Sequence, residues 1–242
     1  MKRLIFILSF IFALQSFAGE QLFFQGNSEY ANENYSTAIS LYDSILTKGL
    51  ESSELYYNLG NCHYKTQDWA NAIWHYKKSL QLEKKENTLH NLELAKLKII
   101  DRIESLPQLF YKKWWNNLTQ LFGTKTWQIL TLLCIGFVVL LQLLNQYKSL
   151  KNKLILNILY PTTVVLLFIT HNSHTQNFVK KEGIIFTSTV IVNSAPSINS
   201  TNLFSLHSGS KVEVIDEIGD WINIKIANGS SGWISQNSIK EL

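Results

Sequence analysis

Cysteine occurs only twice, as Cys62 inside a helical pattern and Cys134 inside an apolar run. Two thiols so placed cannot form the disulfide framework of a small secreted domain. Neither stands among His and Asp residues at metal-ligand spacing, so no metal is expected; Cys62 reads as a small helix-packing residue and Cys134 as lipid- or helix-facing. A Gly-rich phosphate loop, an H-E-x-x-H helix and a nucleophile elbow are all missing, which removes the common sequence signatures of nucleotide hydrolysis, zinc proteolysis and acyl transfer. His171 and His174 are three apart with no carboxylate nearby and read as polarity at a membrane interface. No catalytic residue and no cofactor are therefore expected. The net charge of +4 is spread along the chain without a long basic block, so no nucleic-acid partner is expected.

Long apolar runs, by contrast, are present. Residues 1–18 carry Lys2 and Arg3, a short apolar stretch and Ser16-Phe17-Ala18, the three parts of a secretory signal peptide. Residues 127–144 and 154–170 contain no formal charge and predict two transmembrane helices joined by a cytoplasmic loop over 145–153. Pro161 lies inside the second run, where the Thr162 or Thr163 hydroxyl can help offset its missing N–H. Residues 106–126 form a juxtamembrane segment whose Trp114 and Trp115, with Trp127, suit an interfacial belt. Lysines flank both sides of the hairpin and discriminate orientation weakly. An exporting signal followed by two spans predicts both soluble regions on the periplasmic face of a bacterial inner membrane, with the lipid bilayer itself as a partner.

The region from 19 to 105 repeats with a 34-residue period. Gly26 and Gly60, Asn27 and Asn61, Tyr30 and Tyr64, Tyr35 and Trp69, Ala38 and Ala72, Ile39 and Ile73, and Tyr42 and Tyr76 all obey it. That is the tetratricopeptide period, in which each unit is a pair of antiparallel helices. Small residues suit close helix approach and large aromatic ones suit the gaps between helices. Residues 87–104 place Leu89, Leu92, Leu97, Ile100 and Ile103 at helical spacing and predict a capping helix. Stacked helix pairs form a concave groove, for which Asn27, Tyr30, Asn58, Asn61 and Tyr64 are the candidate partner-binding residues. Phe23, Thr88 and Leu92 stand where a carboxylate-clamping repeat needs cations, so an anion clamp is not expected.

A linker over 171–183 leads to a different pattern in 184–242. Short β-branched runs at 184–193, 203–206, 211–216, 221–226 and 231–234 predict five strands of a small barrel. Asn228-Gly229 predicts a two-residue hairpin turn. Ser194-Ala195-Pro196, Leu206-His207-Ser208-Gly209, Gly219-Asp220-Trp221-Ile222 and Gly232-Trp233-Ile234 resemble the bacterial SH3 family. The resemblance implies a binding or adapter barrel, with Trp221 as the candidate ligand surface and cell-wall peptidoglycan as an alternative ligand.

The fold class expected is thus multi-domain: an all-α tetratricopeptide solenoid, a two-helix transmembrane hairpin and a small all-β SH3-like barrel. That order, with His90-Asn91-Leu92-Glu93-Leu94-Ala95, Asp101-Arg102-Ile103-Glu104, Leu106-Pro107 and Trp114-Trp115, resembles the E-type family of the Bacteroides aerotolerance operon. The resemblance implies a non-enzymatic membrane scaffold acting in aerotolerance or stress. It also implies partners encoded alongside it, von Willebrand A-type membrane proteins and another tetratricopeptide protein, in an operon that also encodes a MoxR-type ATPase.

Overall fold

The computed structural model describes residues 19–107, 109–148, 153–175 and 181–242. The signal-peptide expectation falls on 1–18 and lies outside the described residues, as do 149–152 of the expected loop and 176–180 of the expected linker.

The chain divides into two compact units. The first takes residues up to Ser105 and resumes at Glu182. Its helical part runs α1 (19–31), α2 (Tyr35–Leu46), α3 (Ser53–Lys65), α4 (Trp69–Leu82) and α5 (Glu86–Lys96). Start signals are local. The Ser52 side chain accepts from Leu55 N–H at 3.0 Å and Asp68 accepts from Asn71 N–H at 3.2 Å, satisfying amides that a first turn leaves free. The period is visible in three dimensions. Glu33 and Gln67, 34 apart, end α1 and α3 with positive φ of 64° and 62°. Tyr30 meets Tyr35 edge-on at 5.4 Å as Tyr64 meets Trp69 at 5.3 Å. Gly26 and Gly60 let α1 and α3 approach closely, because a Cβ on Gly60 would lie 2.5 Å from the Tyr76 ring and one on Gly26 would overlap Tyr42. Tyr42, Leu59, Cys62 and Ala72 are fully buried in the resulting core, and burial pushes the Cys62 thiol up to about 12, as expected of a packing cysteine.

Helix α5 stops at Lys96, short of the helix expected to 104. Leu97 and Ile100 are 66% and 72% exposed, and residues 97–105 instead leave the solenoid as a strap whose Ile103 packs on the barrel core. Contacts with the barrel compete successfully with the helical periodicity there.

The barrel comprises β1 (Lys181–Ile185), β2 (Thr189–Asn193), β3 (Asn202–His207), β4 (Lys211–Ile218), β5 (Trp221–Lys225), β6 (Ser231–Ser235) and β7 (Ile239–Glu241). Their order is β3-β2-β6-β5-β4-β1-β7. Alternation buries Ile222, Ile224 and Ile234, each contributing about 1.5–3 kcal/mol by burial. Two details depart from the five strands expected. The first run divides at 186–188 because β1 pairs with β7 while β2 pairs with β3. The turn at Asn228-Gly229 puts only Gly229 at positive φ, 90°, and closes Ile226–Gly229 with a 2.9 Å bond from Gly229 N–H to Ile226 O. That is a longer turn ending in a left-handed glycine, not a two-residue one.

Repeats and barrel share one interior. Ile184 of β1 belongs to the helical core, with Phe186 and Leu242 packed on it. Trp74 Nε1 donates to the Glu241 carbonyl at 2.8 Å, and Lys240 Nζ sits 3.6 Å from the Trp74 ring centroid. Glu182 bridges Lys77 at 3.1 Å and Lys211 at 2.5 Å. Asp101 on the strap accepts from the His207 amide at 2.6 Å, from His207 Nδ1 at 2.7 Å and from the Ser210 hydroxyl.

The second unit, Leu106–Lys181, contains α6 (Phe110–Gln120), α7 (Thr124–Lys148) and α8 (Lys153–His174). Thr124–Gln146 and Lys153–His174, with mean hydropathies of 2.2 and 1.8, are long and apolar enough to cross a membrane. At 1.5 Å per residue they reach about 33–35 Å, against a hydrocarbon core of about 30 Å. Both helices outrun the spans of 127–144 and 154–170 at each end. Their interface is a polar seam: Thr124 with Ser173 at 2.9 Å, Thr131 with Thr170 at 2.8 Å, Cys134 with Thr163 at 3.2 Å, and Gln142 with Tyr160. Such side chains hold apolar helices together where hydrophobicity cannot. Pro161 cannot serve the carbonyl four residues before it; the Thr162 and Thr163 hydroxyls both donate to Leu159 O, at 2.8 and 2.7 Å.

Candidate functional site

The groove of the helical region is built on one hydrogen-bond motif used twice. Asn27 Oδ1 on α1 accepts from Tyr42 OH on α2 at 2.7 Å and from Asn58 Nδ2 on α3 at 2.9 Å. One repeat later Asn61 Oδ1 accepts from Tyr76 OH at 2.8 Å and from Asn91 Nδ2 on α5 at 2.9 Å. Each asparagine therefore ties its own helix pair to the next first helix. Burial drives the Tyr42 and Tyr76 hydroxyls far above the ordinary tyrosine value, so both remain donors throughout the physiological range.

Four of the five groove candidates come together. Asn27, Tyr30, Asn58 and Asn61, with Tyr42, line a cavity of about 270 Å³. Tyr64 lies one repeat further on, packed edge-on against Trp69. The Asn27 and Asn58 carboxamides, bonded to each other at 2.9 Å, both face this cavity. Such a site offers both a donor and an acceptor with no formal charge, which suits a peptide backbone. Thr88 and Leu92, at the positions that would need cations for an anion clamp, are buried at 1% and 4% exposure. Asn91 was not recognised as a groove residue from sequence. The signal was its place 33 residues after Asn58, one off the period.

The second surface lies on the barrel. Trp221, Asn223 and Trp233 alternate with buried Ile222, Ile224 and Ile234 and so share the outer face. Trp221 pairs with Ile218 and Ser235. Trp233 sits between Asn223 of β5 and Asn193 of β2 in the ladder. The Oδ1 atoms of Asn193 and Asn223 are shielded and without a hydrogen-bond partner among the described residues. The structure thus adds Trp233 and two asparagines to the Trp221 surface; their offset across three strands left no short sequence motif. His207 ends β3 with its ring Nδ1 on Asp101 Oδ1 at 2.7 Å.

Among the described residues no group of three or more His, Cys, Asp or Glu side chains could hold a metal ion.

Residues 53–86 match the tetratricopeptide repeat family, and residues 188–240 match the family described as bacterial SH3 domain. No curated protein matches the chain. Among solved structures, NlpC2 from Trichomonas vaginalis is similar over 26% of this chain and 25% of its own, at 18% identity and a TM-score of 0.24. NlpC1 from the same organism is similar over 26% and 24%, also at 18% identity and 0.24. The chain spans about a quarter of each. The tetratricopeptide match coincides with α3 and α4 and the SH3 match with β2 through β7, so the fold comprises a tetratricopeptide-like helical region, two long apolar helices and an SH3-like antiparallel sheet.

Proposed function

We propose that the chain is a non-enzymatic adapter anchored in a bacterial inner membrane by α7 and α8, which holds partner proteins in its repeat groove on the periplasmic side. The observation that carries this reading is the shared interior of repeats and barrel. Parts of the chain before Leu106 and after Lys181 complete one core, so they occupy one compartment, and the intervening segment crosses the membrane an even number of times. The uncharged cavity at Asn27, Tyr30, Asn58 and Asn61 then serves an extended peptide segment of a partner. Following the resemblance to the aerotolerance E-type family, the partners are von Willebrand A-type membrane proteins and another tetratricopeptide protein, acting in aerotolerance or stress.

A photo-crosslinking residue at Tyr30, in native membranes, tests this. Adducts with a von Willebrand A-type membrane protein are expected there and not from a control site at Glu213 on the barrel. Capture of such a protein only from the control site, or from neither, would exclude the groove as the docking surface.

A second reading, favoured by the Asn193, Trp233 and Asn223 row beside Trp221, is peptidoglycan binding by the barrel. Indole faces suit stacking on amide-rich or sugar-rich ligands. Retention of the full chain on purified sacculi, lost in W221A and W233A, is the expected outcome; equal retention of both variants would remove the reading.

A further inference from the structure

Helix α6 has two chemically opposed faces. At 3.6 residues per turn, Phe110, Tyr111, Trp114, Trp115 and Leu118 fall within an arc of about 140°, which the C-cap Leu121 continues with helical dihedrals, while Lys112, Lys113, Asn116, Asn117 and Thr119 fill the rest. The apolar face is largely uncovered: Phe110 is 85% exposed and Trp114 64%. Its carboxyl end is tied to the hairpin. Trp127 Nε1 at the start of α7 donates to Thr119 O at 3.0 Å, and Asn172 Nδ2 near the end of α8 donates to Thr119 Oγ1 at 3.4 Å. Thr119 is only 2% exposed as a result. The helix is therefore fixed at the end of the hairpin where α7 begins and α8 finishes. Charge points the same way: no Asp or Glu stands between Glu104 and Glu182, whereas Lys112, Lys113 and Lys125 lie on or beside α6.

We infer that α6 lies in the plane of the bilayer surface, with Phe110, Trp114, Leu118 and Leu121 sunk below the headgroups and Lys112 and Lys113 set against anionic lipid. A helix with a wide apolar face, tryptophans and a basic polar side is the kind that binds at the headgroup boundary. Its junction with α7 and α8 supplies the reason that lipid, and not a second copy or a soluble partner, covers the apolar face. The assignment rests on the membrane-anchoring reading of α7 and α8.

The test uses the full chain in nanodiscs of phosphatidylcholine with one quarter phosphatidylglycerol, in a C62A/C134S background whose helix content is first verified. Nitroxide labels go singly on W114C, L118C, L121C, K112C and K113C, and on L132C in α7. The ratio of oxygen to nickel-complex collision rates should be at least about threefold higher at 114, 118 and 121 than at 112 and 113. Label 132 should report deep burial in lipid. Water exposure of 132 would defeat the anchoring reading itself. Burial of 132 with equal water exposure at 112, 113, 114, 118 and 121 would overturn the α6 inference alone. Protection of 114 and 118 from both quenchers would assign the face to a protein partner and also overturn it. K112E/K113E should lower the ratio at 118 toward its value in pure phosphatidylcholine discs; an unchanged ratio would overturn the anionic-lipid assignment.

Discussion

Asp101 and His207, 106 positions apart, meet through two hydrogen bonds, amide to Oδ2 at 2.6 Å and ring Nδ1 to Oδ1 at 2.7 Å. Burial works to raise the Asp101 carboxyl, and the bonds from Ser210 and His207 together outweigh it, so its pKa lies below the ordinary value. Asp101→Ala should cost about 2–4 kcal/mol, because the donors it leaves lose a charged acceptor. The pH dependence has a definite sign. With the folded value depressed, Asp101's contribution is complete above about pH 4 and fades as acid titrates through the folded value. Thermal unfolding in detergent, followed by circular dichroism, should show the variant losing less stability than the parent on acidification below that pH.

Gly60→Ala should destabilise the repeats by about 1–3 kcal/mol through overpacking. The Tyr76 ring, 2.5 Å from the added Cβ, cannot swing away freely while its hydroxyl is held by Asn61. Pairing Gly60→Ala with Tyr76→Leu should give less than the sum of the two single losses in urea unfolding. Strict additivity would mean that the ring is not the obstacle.

His75 gives a second acid-sensitive element. It is 4% exposed, and burial, assisted by His63 and Lys240, holds its imidazole down to about 3. An unfolded histidine titrates near 6.5, so the folded state loses up to about 1.4 kcal/mol per unit as pH falls from about 6.5 to about 3. Its Nδ1 has no hydrogen-bond partner among the described residues, so His75→Leu sacrifices no bond seen there. The variant should show a flatter dependence of unfolding midpoint on pH between 6.5 and 4.5; a parallel curve would place the sensitivity elsewhere.

Topology can be read by reporter fusion. Alkaline phosphatase inserted within 145–153 should be inactive, while a fusion after Leu242 should be active. Activity in the loop would overturn the periplasmic orientation, whereas two fusions inactive or active together would contradict the crossing of α7 and α8 itself.

The helical region was largely legible because its information is periodic: a glycine every 34 residues facing a tyrosine every 34 residues is a contact repeated in plain sight. The long apolar helices were legible by length and composition, although polar ends such as Thr124 and Ser173 concealed their full extent. The joining of repeats to barrel was not legible. Its contacts link Lys77 to Glu182, Trp74 to Glu241 and Asp101 to His207, and no local pattern encodes partners more than a hundred positions apart. For the same reason the helix expected to 104 ended at Lys96, since Ile103 answers to the barrel and not to its neighbours. Strand β7, three residues long, carries too little alternation to be recognised alone. At the groove, Tyr30 and Asn58 were found from the repeat, whereas Asn91 was hidden by its one-residue offset. On the barrel, Trp221 was conspicuous but the Asn193, Trp233 and Asn223 row exists only once strands pair.

A core split by an inserted hairpin imposes an order on biogenesis. The strap carrying Asp101 and Ile103 leaves the ribosome well before Glu182, which follows 77 residues after Ser105, a lag of ~4–15 s at common translation rates. During that interval the last repeat has no barrel to close its end, while Ile99 and Ile103 remain uncovered. The newborn chain therefore passes through a stage with an unfinished, sticky solenoid edge; under the proposed anchoring, insertion of α7 and α8 falls in the same window, and chaperones that shield that edge would act there.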